Sequence, residues 1–452
     1  MSDGPYRHPL AAVLAHLGLT ATEYLVLVDR RHRELGYGAM AVRREKVTRW
    51  QSGVSIPEPT AQLAMASLHG VSPRAVTEHG WPDWLLLAFP DDRAFLDAPW
   101  TAAGTVTSLA ASARGGSMDR RGFLIASGTT LGALALDWAG ALGESPAASA
   151  AGRRRLTVGM VARLEQRLDD LRHLDDVLGG GELRKIAAAE LRMVTSLAHE
   201  TIYDGAAGRR LFATVCEAAR LCGWQHFDAG LHAAAQRYFV TALRASATAG
   251  DAEIGANVLA FMAIQTYSVG DPVDAVTLLQ TALSQAKGHT TARVMAMLHV
   301  RHARALSKTP HGKTACLAEL HAARQRFAAG PHDDDPLWSY WMTEGELEML
   351  AASCALDLGD PRRALTFFEA AKTAGYAADS SVRDNALYLT RTAEAHLALS
   401  DIEQACAIAL QAVELSGGVD STRPSGAIIG FRKRLGPHRK IPAARQFLEA
   451  TA

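Results

Sequence analysis

Five times in its second half this chain repeats one spacing: a small residue, a larger one four positions on, and a small one three further. The sets are Ala235/Phe239/Ala242, Ala275/Leu279/Ala282, Cys316/Leu320/Ala323, Ala364/Phe368/Ala371 and Ala405/Ala409/Ala412, the last with Ala at its centre. Successive final alanines lie 40, 41, 48 and 41 residues apart. Positions i, i+4 and i+7 share one helical face, so each set is a stripe. Its small side chains let a neighbouring helix come close while the central residue fills the groove. Gly270-Asp271-Pro272, Thr309-Pro310-His311-Gly312 and Gly359-Asp360-Pro361 precede three of these helices, and Asp with Pro just inside the helix is a start signal. Each unit is then a helix pair that cannot bury its apolar face alone and must stack on the next.

Composition agrees with an all-α chain. Apolar residues make up 48% of the 452, dominated by Ala and Leu, and aromatics only 6%. No sustained period-2 alternation competes with the helical pattern. The length calls for two or three domains. A formal net charge of zero excludes a globally basic nucleic-acid coat, so any DNA contact must be a local patch. The cysteines Cys216, Cys222, Cys316, Cys354 and Cys406 form no CxxC pair and no zinc spacing. They are expected to be buried thiols in a reducing cytoplasm. No phosphate loop, dinucleotide fingerprint, H-E-x-x-H or nucleophile elbow occurs. No catalytic residue, cofactor or metal is therefore assigned, and no enzyme is expected. His332-Asp333-Asp334-Asp335 sits between breakers and reads as a solvated loop; Glu344-Gly345-Glu346 reads as an acidic helix start.

The local patch is at Arg43-Arg44-Glu45-Lys46-Val47-Thr48-Arg49-Trp50-Gln51-Ser52-Gly53. Residues 30–49 carry seven Lys/Arg against two Asp/Glu. At helical spacing Val47 and Trp50 share a face that can bury itself, and Gly53 ends the helix. Arg43, Arg44, Lys46, Thr48, Arg49 and Gln51 then point elsewhere, as groove and phosphate contacts require: Arg forks onto guanine, Gln onto adenine, and the other cations displace counterions. Upstream, Leu10 to Leu17 reads as a helix stopped by Gly18, and Thr20 can cap a second running to about Leu35. Downstream, Pro57 and Pro59 mark a loop before a helix from Thr60 to Leu68, with Leu63, Ala64 and Leu68 inward.

These residues resemble the lambda-repressor-like (XRE-type) helix-turn-helix family, through Val47-x-x-Trp50-x-Ser52-Gly53, the Pro57 loop, and Leu63 to Gly70-Val71-Ser72. The resemblance implies that the helix holding Val47 and Trp50 lies in the major groove. One departure is the extra length around Arg31 to Met40. Either the second helix is extended with a longer loop, or the motif has drifted from DNA binding to packing. The repeats, over roughly residues 207–416, resemble tetratricopeptide repeats. The likeness is best on the second helix of each unit and weak on the first, where the expected Gly occurs once, at Gly223.

The remaining stretches complete the plan. Residues 1–97 are expected to form the helix-turn-helix domain, residues 98–152 a linker, 153–206 capping helices and 417–452 a basic C-terminal segment. Within the linker, residues 119–138 (Asp119-Arg120-Arg121-Gly122-Phe123-Leu124-Ile125 and the apolar run after it) resemble a twin-arginine export signal. Position more than a hundred residues into the chain, with Ser127, Thr129, Thr130 and Asp137 in or beside the run, favours packing in the cytoplasm over membrane association. The tail holds Arg423, Arg432, Lys433, Arg434, Arg439, Lys440 and Arg445 without an acid over residues 421–445; it either neutralises acidic helices nearby or adds a phosphate contact.

The concave face of a repeat superhelix is where a peptide or protein segment docks. Its candidate contacts are Gln225, Asn257, Gln265, Arg301, Arg304, Asn385 and Arg391. Together the two resemblances point to the actinobacterial regulators that join an XRE-type domain to a tetratricopeptide-like one. They imply a cytoplasmic, DNA-binding and repressing regulator, possible as a homodimer, with a peptide or protein signal on its repeats. The rival expectation is an interaction scaffold whose N-terminal domain no longer binds DNA.

Overall fold

A computed structural model describes residues 8–113, 125–142, 149, 152, 154–178, 180–376, 382–416 and 421–451. Their regular structure is helical apart from two short strands, Arg154–Arg155 and Thr201–Ile202, paired in parallel. The first helices are α1 (Pro9–Leu17), α2 (Ala21–Glu34), α3 (Arg44–Gln51), α4 (Pro59–Leu68) and α5 (Pro73–His79), then a 3-10 turn Asp83–Ala88 and α6 (Pro90–Leu96). Thr20 starts α2 by a reciprocal cap: its hydroxyl accepts from the Glu23 N–H, and the Glu23 carboxylate accepts from the Thr20 N–H at 2.8 Å. Leu10, Tyr24, Leu25, Val28, Val47, Trp50 and Trp84 share one apolar core. On α4 the buried residues are Ala61, Ala64, Met65 and Ala66, while Leu63 and Leu68 are only half-buried.

Between α2 and α3 the chain makes no tight turn. Residues 35–43 form an irregular loop held to α2, with the Met40 N–H donating to Asp29 Oδ1 at 2.6 Å and His32 Nδ1 bonding the Gly38 carbonyl at 2.9 Å. The extra length is therefore a loop, with α2 ending at Glu34.

The stretch expected to be a linker is built into the fold instead. It holds α7 (Ala102–Ala113) and α8 (Gly128–Ala141). Both pack on the repeats, and the cause lies in α12 (introduced below), which offers buried polar side chains. Arg244 donates to the carbonyls of Phe95 and Leu96 and to Ser108. Gln236 accepts from the N–H groups of Ile125 and Ala126 and donates to the Ala126 carbonyl. Thr105 and Ser112 bond Thr248 and Thr241. Hydroxyl-to-hydroxyl packing explains why α7 has the composition of a linker. The apolar part of the twin-arginine-like segment is core: Leu131, Leu134 and Trp138 are buried, and the Trp138 indole donates to Ser246 at 2.9 Å. Arg120, Arg121 and Phe123 lie outside the described residues. No helix among the described residues is long and apolar enough to cross a membrane.

After α9 (Val158–Leu178) and α10 (Gly180–Glu200) come five antiparallel pairs: α11 (Gly205–Asp228) with α12 (His232–Ala249), α13 (Ala252–Val269) with α14 (Pro272–Ala286), α15 (Ala292–Ser307) with α16 (Lys313–Phe327), α17 (Glu344–Asp357) with α18 (Pro361–Thr373), and α19 (Val382–Ala398) with α20 (Ile402–Ser416). Every stripe falls on the second helix of a pair, and none of its residues is more than 3% exposed. Burying a Phe239 or a Leu279 contributes about 1.5–3 kcal/mol. Asp271 and Asp360 cap α14 and α18 with Pro at the first helical position. Gly223 lets α11 and α12 touch, since a Cβ there would lie 2.5 Å from the Phe239 ring. The basic tail is helical, as α21 (Thr422–Leu435) and α22 (Pro442–Ala450), closed on α20 by Phe431, Leu435 and Phe447.

Candidate functional site

Two places gather polar chemistry, and they differ in kind. The first is α3. Val47 and Trp50 are 2% and 5% exposed, and Trp50 meets the edge of Trp81. That fixes the outward face: Arg43, Arg44, Thr48 and Arg49 are exposed, Lys46 and Gln51 half-buried. Gly53, with φ of 71°, turns the chain away. Arg31 and Arg33 on α2 are neutralised by Glu34 and Asp29. Among the described residues Arg43, Arg44, Lys46 and Arg49 pair with no carboxylate.

The second is a cavity of about 390 Å³ on the inner side of the helix pairs. Their first helices supply its wall: Arg220 and Trp224 from α11, Asn257 and Phe261 from α13, Arg301 from α15, Glu346 from α17, Asp384 and Tyr388 from α19. Closure comes from an ion pair joining the two ends of the series. Arg383 of α19 meets Asp175 of α9 at 3.3 Å and Asp228 of α11 at 3.4 Å, all three nearly inaccessible. Burial opposes the Arg383 charge, but the two carboxylates outweigh it and hold the guanidinium above its usual range. Asp228 also accepts from Ser421 Oγ, and its carbonyl from Thr422 Oγ1, so α21 is latched to the same point.

Aromatic rings and cations interleave inside. Trp224 meets Phe261 edge-on at 5.2 Å, and Arg423 lies over Trp224 at 4.7 Å. Arg301 lies over Trp341 at 4.9 Å. Burial lifts the Asp176 carboxyl to about 6 against the hydrogen bond it accepts from Tyr340. Burial likewise lifts Glu346 to about 7, against Arg301 and a 2.8 Å hydrogen bond from the Tyr388 hydroxyl. A second groove of about 910 Å³ adjoins, sharing Arg301, Tyr388 and Arg423 with the cavity.

The candidate contacts named from sequence divide accordingly. Asn257 and Arg301 line the cavity; Arg301, Arg304 and Arg391 line the groove. Arg304 and Arg391 are both paired with Asp357, which makes them struts between α15, α17 and α19. Gln225 and Gln265 are turned into packing instead of the cavity: they are fully buried, with Nε2 donating to Asp175 and to the His232 carbonyl. Asn385, half-buried on α19, lines neither space. The sequence reading missed Trp224, Phe261, Trp341, Tyr388 and Arg383; Glu346 does lie in the acidic first turn of α17, as expected, and also lines the cavity. A signal existed: Arg220/Trp224, Asn257/Phe261 and Asp384/Tyr388 are each a polar residue with an aromatic one turn later, on the first helix of a pair. His332 and Asp335 close their own loop, with Asp335 also on Arg293. Among the described residues no cluster of His, Cys, Asp or Glu is placed to hold a metal ion. The five cysteines are free and buried. Compared with protein-family models and with curated proteins, the chain matches none.

Proposed function

We propose that this chain is a DNA-binding transcriptional regulator, of helix-turn-helix type and expected to repress. Its tetratricopeptide-like helix pairs receive a peptide or protein-derived signal. The carrying observation is the cluster within residues 30–49: Arg31 and Arg33 of α2 are neutralised, while among the described residues Arg43, Arg44, Lys46 and Arg49 pair with no carboxylate at an outward helix face, and exposed Arg30 of α2 likewise has none. An uncompensated cluster of that kind is suited to a polyanion, with Thr48 and Gln51 in position for base edges. Integration of α7 and α8 into the repeats supports mechanical coupling between the two regions. On this reading the protein acts in the cytoplasm, and a homodimer would place two copies of α3 on successive turns of a duplex. A scaffold that no longer binds DNA is the second reading, favoured by the loop 35–43 where the family has a tight turn.

The test is a gel-shift titration on sheared genomic DNA at about 50 and 200 mM salt. Four phosphate contacts from a monomer predict roughly a hundredfold loss of affinity across that range, and eight from a dimer roughly ten-thousandfold. Arg43→Glu/Arg44→Glu/Arg49→Glu should abolish binding at both. Wild type and variant equally inert toward DNA would favour the scaffold, and equal binding by both would remove α3 as the DNA contact.

A further inference from the structure

We infer that the cavity seats an N-acylated aromatic amino acid through its amide and its free carboxylate, either as a small molecule or as the C-terminal residue of a peptide. The inference deepens the proposed function by naming the chemistry of the signal, and it rests on the sensing half of that reading. Asn257 carries it. The residue is 1% exposed and lines the cavity, and both its amide nitrogen and its amide oxygen lack a partner. Leaving a buried polar group unanswered costs about 1–3 kcal/mol. A donor and an acceptor side by side are answered by another amide.

The rest of the wall supplies the other two features. Arg172, Arg383 and Arg423 are each matched to carboxylates at 3.4 Å or less. Arg301 lies over the Trp341 face and, among the described residues, makes no salt bridge; the one carboxyl it is seen to act on is Glu346, which burial holds up near neutrality. Arg301 is the cavity cation available to an incoming carboxylate. Two carboxyls of the wall, Asp176 and Glu346, have been lifted toward neutrality by burial, which weakens repulsion of an anion. Trp224, Phe261, Trp341 and Tyr388 give an aromatic ring faces and edges to stack on. A volume of about 390 Å³ lies at the small end of ligand pockets, roughly 300–1,000 Å³. It admits one such residue and no folded domain or helix. The adjoining groove, continuous through Arg301 and Tyr388, leaves room for upstream residues of a peptide.

Isothermal titration of the full chain with N-acetyl-tryptophan tests this. Saturable binding is expected, at least tenfold weaker for N-acetyl-tryptophanamide, which lacks the acid, and for indole-3-propionate, which lacks the amide. Arg301→Gln should erase the preference for the acid while Arg301→Lys keeps it; Asn257→Ser should erase the preference for the amide. Tighter binding of Gly-Gly-Gly-Trp with a free carboxylate assigns the source to a peptide, and equal or weaker binding to a small molecule. Absence of saturable binding by N-acetyl-tryptophan and the peptide overturns the inference, as does binding unchanged in natively folded Asn257→Ser and Arg301→Gln. Gel shifts on the same samples separate the readings: DNA binding without ligand binding removes this inference alone, and ligand binding without DNA binding removes the regulator alone.

Discussion

Arginine does opposite things at the two ends of this molecule. At α3, Arg43, Arg44 and Arg49 are exposed and, among the described residues, pair with no carboxylate, and so add little to stability. At the cavity wall Arg383 is 3% exposed and clamped between Asp175 and Asp228, and elsewhere in the repeats, on α12, Arg244 is fully buried under the carbonyls of Phe95 and Leu96. There the guanidinium has lost its water and is held by fixed acceptors, which is stabilising only while every partner stays in place. The difference separates a surface that can exchange partners from a scaffold that cannot. Removal of charge should therefore cost binding at one end and folding at the other.

The largest effect is expected at Arg383. Arg383→Ala leaves two buried carboxylates facing each other and should destabilise the chain by about 3–5 kcal/mol. Urea unfolding would measure it. The triple charge reversal on α3 should stay within about 0.5 kcal/mol of wild type in the same experiment. A midpoint for Arg383→Ala equal to that of wild type would mean that apolar packing alone holds the first and last helix pairs together.

Asn257 sharpens the comparison from the other side, because it is a buried polar group with no partner. Asn257→Leu removes two unanswered amide atoms and keeps a similar volume. It should be neutral or stabilise by about 1 kcal/mol, read by thermal unfolding, while removing binding of N-acetyl-tryptophan. A loss of stability as large as that of Arg383→Ala would show that Asn257 is structural.

What the sequence made legible follows the same division. The stripes on α12, α14, α16, α18 and α20 were readable because close helix contact demands small residues at fixed spacing, and every one of those positions is buried. The outward face of α3 was readable because Val47 and Trp50 set its rotation. Packing of α7 and α8 was not, since their partners are Gln236, Arg244 and Thr241 on α12. Polar residues in a helix are read as exposed until a distant segment is seen to use them. The cavity was hidden for a related reason. Arg383, Asp175 and Asp228 meet across 155 and 208 positions, and no local pattern announces such a contact. Asn257 and Arg301 were found as polar residues on first helices, but Gln225 and Gln265 looked the same and turned inward.

The last effect is a dependence on pH that belongs to the cavity. Burial raises Glu346 from its ordinary 4.5 to about 7, so between those values the folded chain binds more protons there than the unfolded one. This group's contribution to stability is therefore greatest below about pH 4.5, falls as pH rises to about 7, and is level above. His226 and His232, lowered to about 4 by burial, act in the opposite direction over pH 4 to 6.5, so the wild-type profile alone cannot isolate it. Glu346→Gln can, because the histidines are common to both proteins. From pH 5 to 8 the wild type should lose a few degrees of melting temperature relative to Glu346→Gln. Affinity for N-acetyl-tryptophan should fall over the same range in wild type only, as a carboxylate forms beside Arg301. DNA binding through α3 should respond to salt. Parallel pH profiles for wild type and Glu346→Gln would mean that Glu346 is ionised throughout, and that the cavity handles charge as the open surface of α3 does.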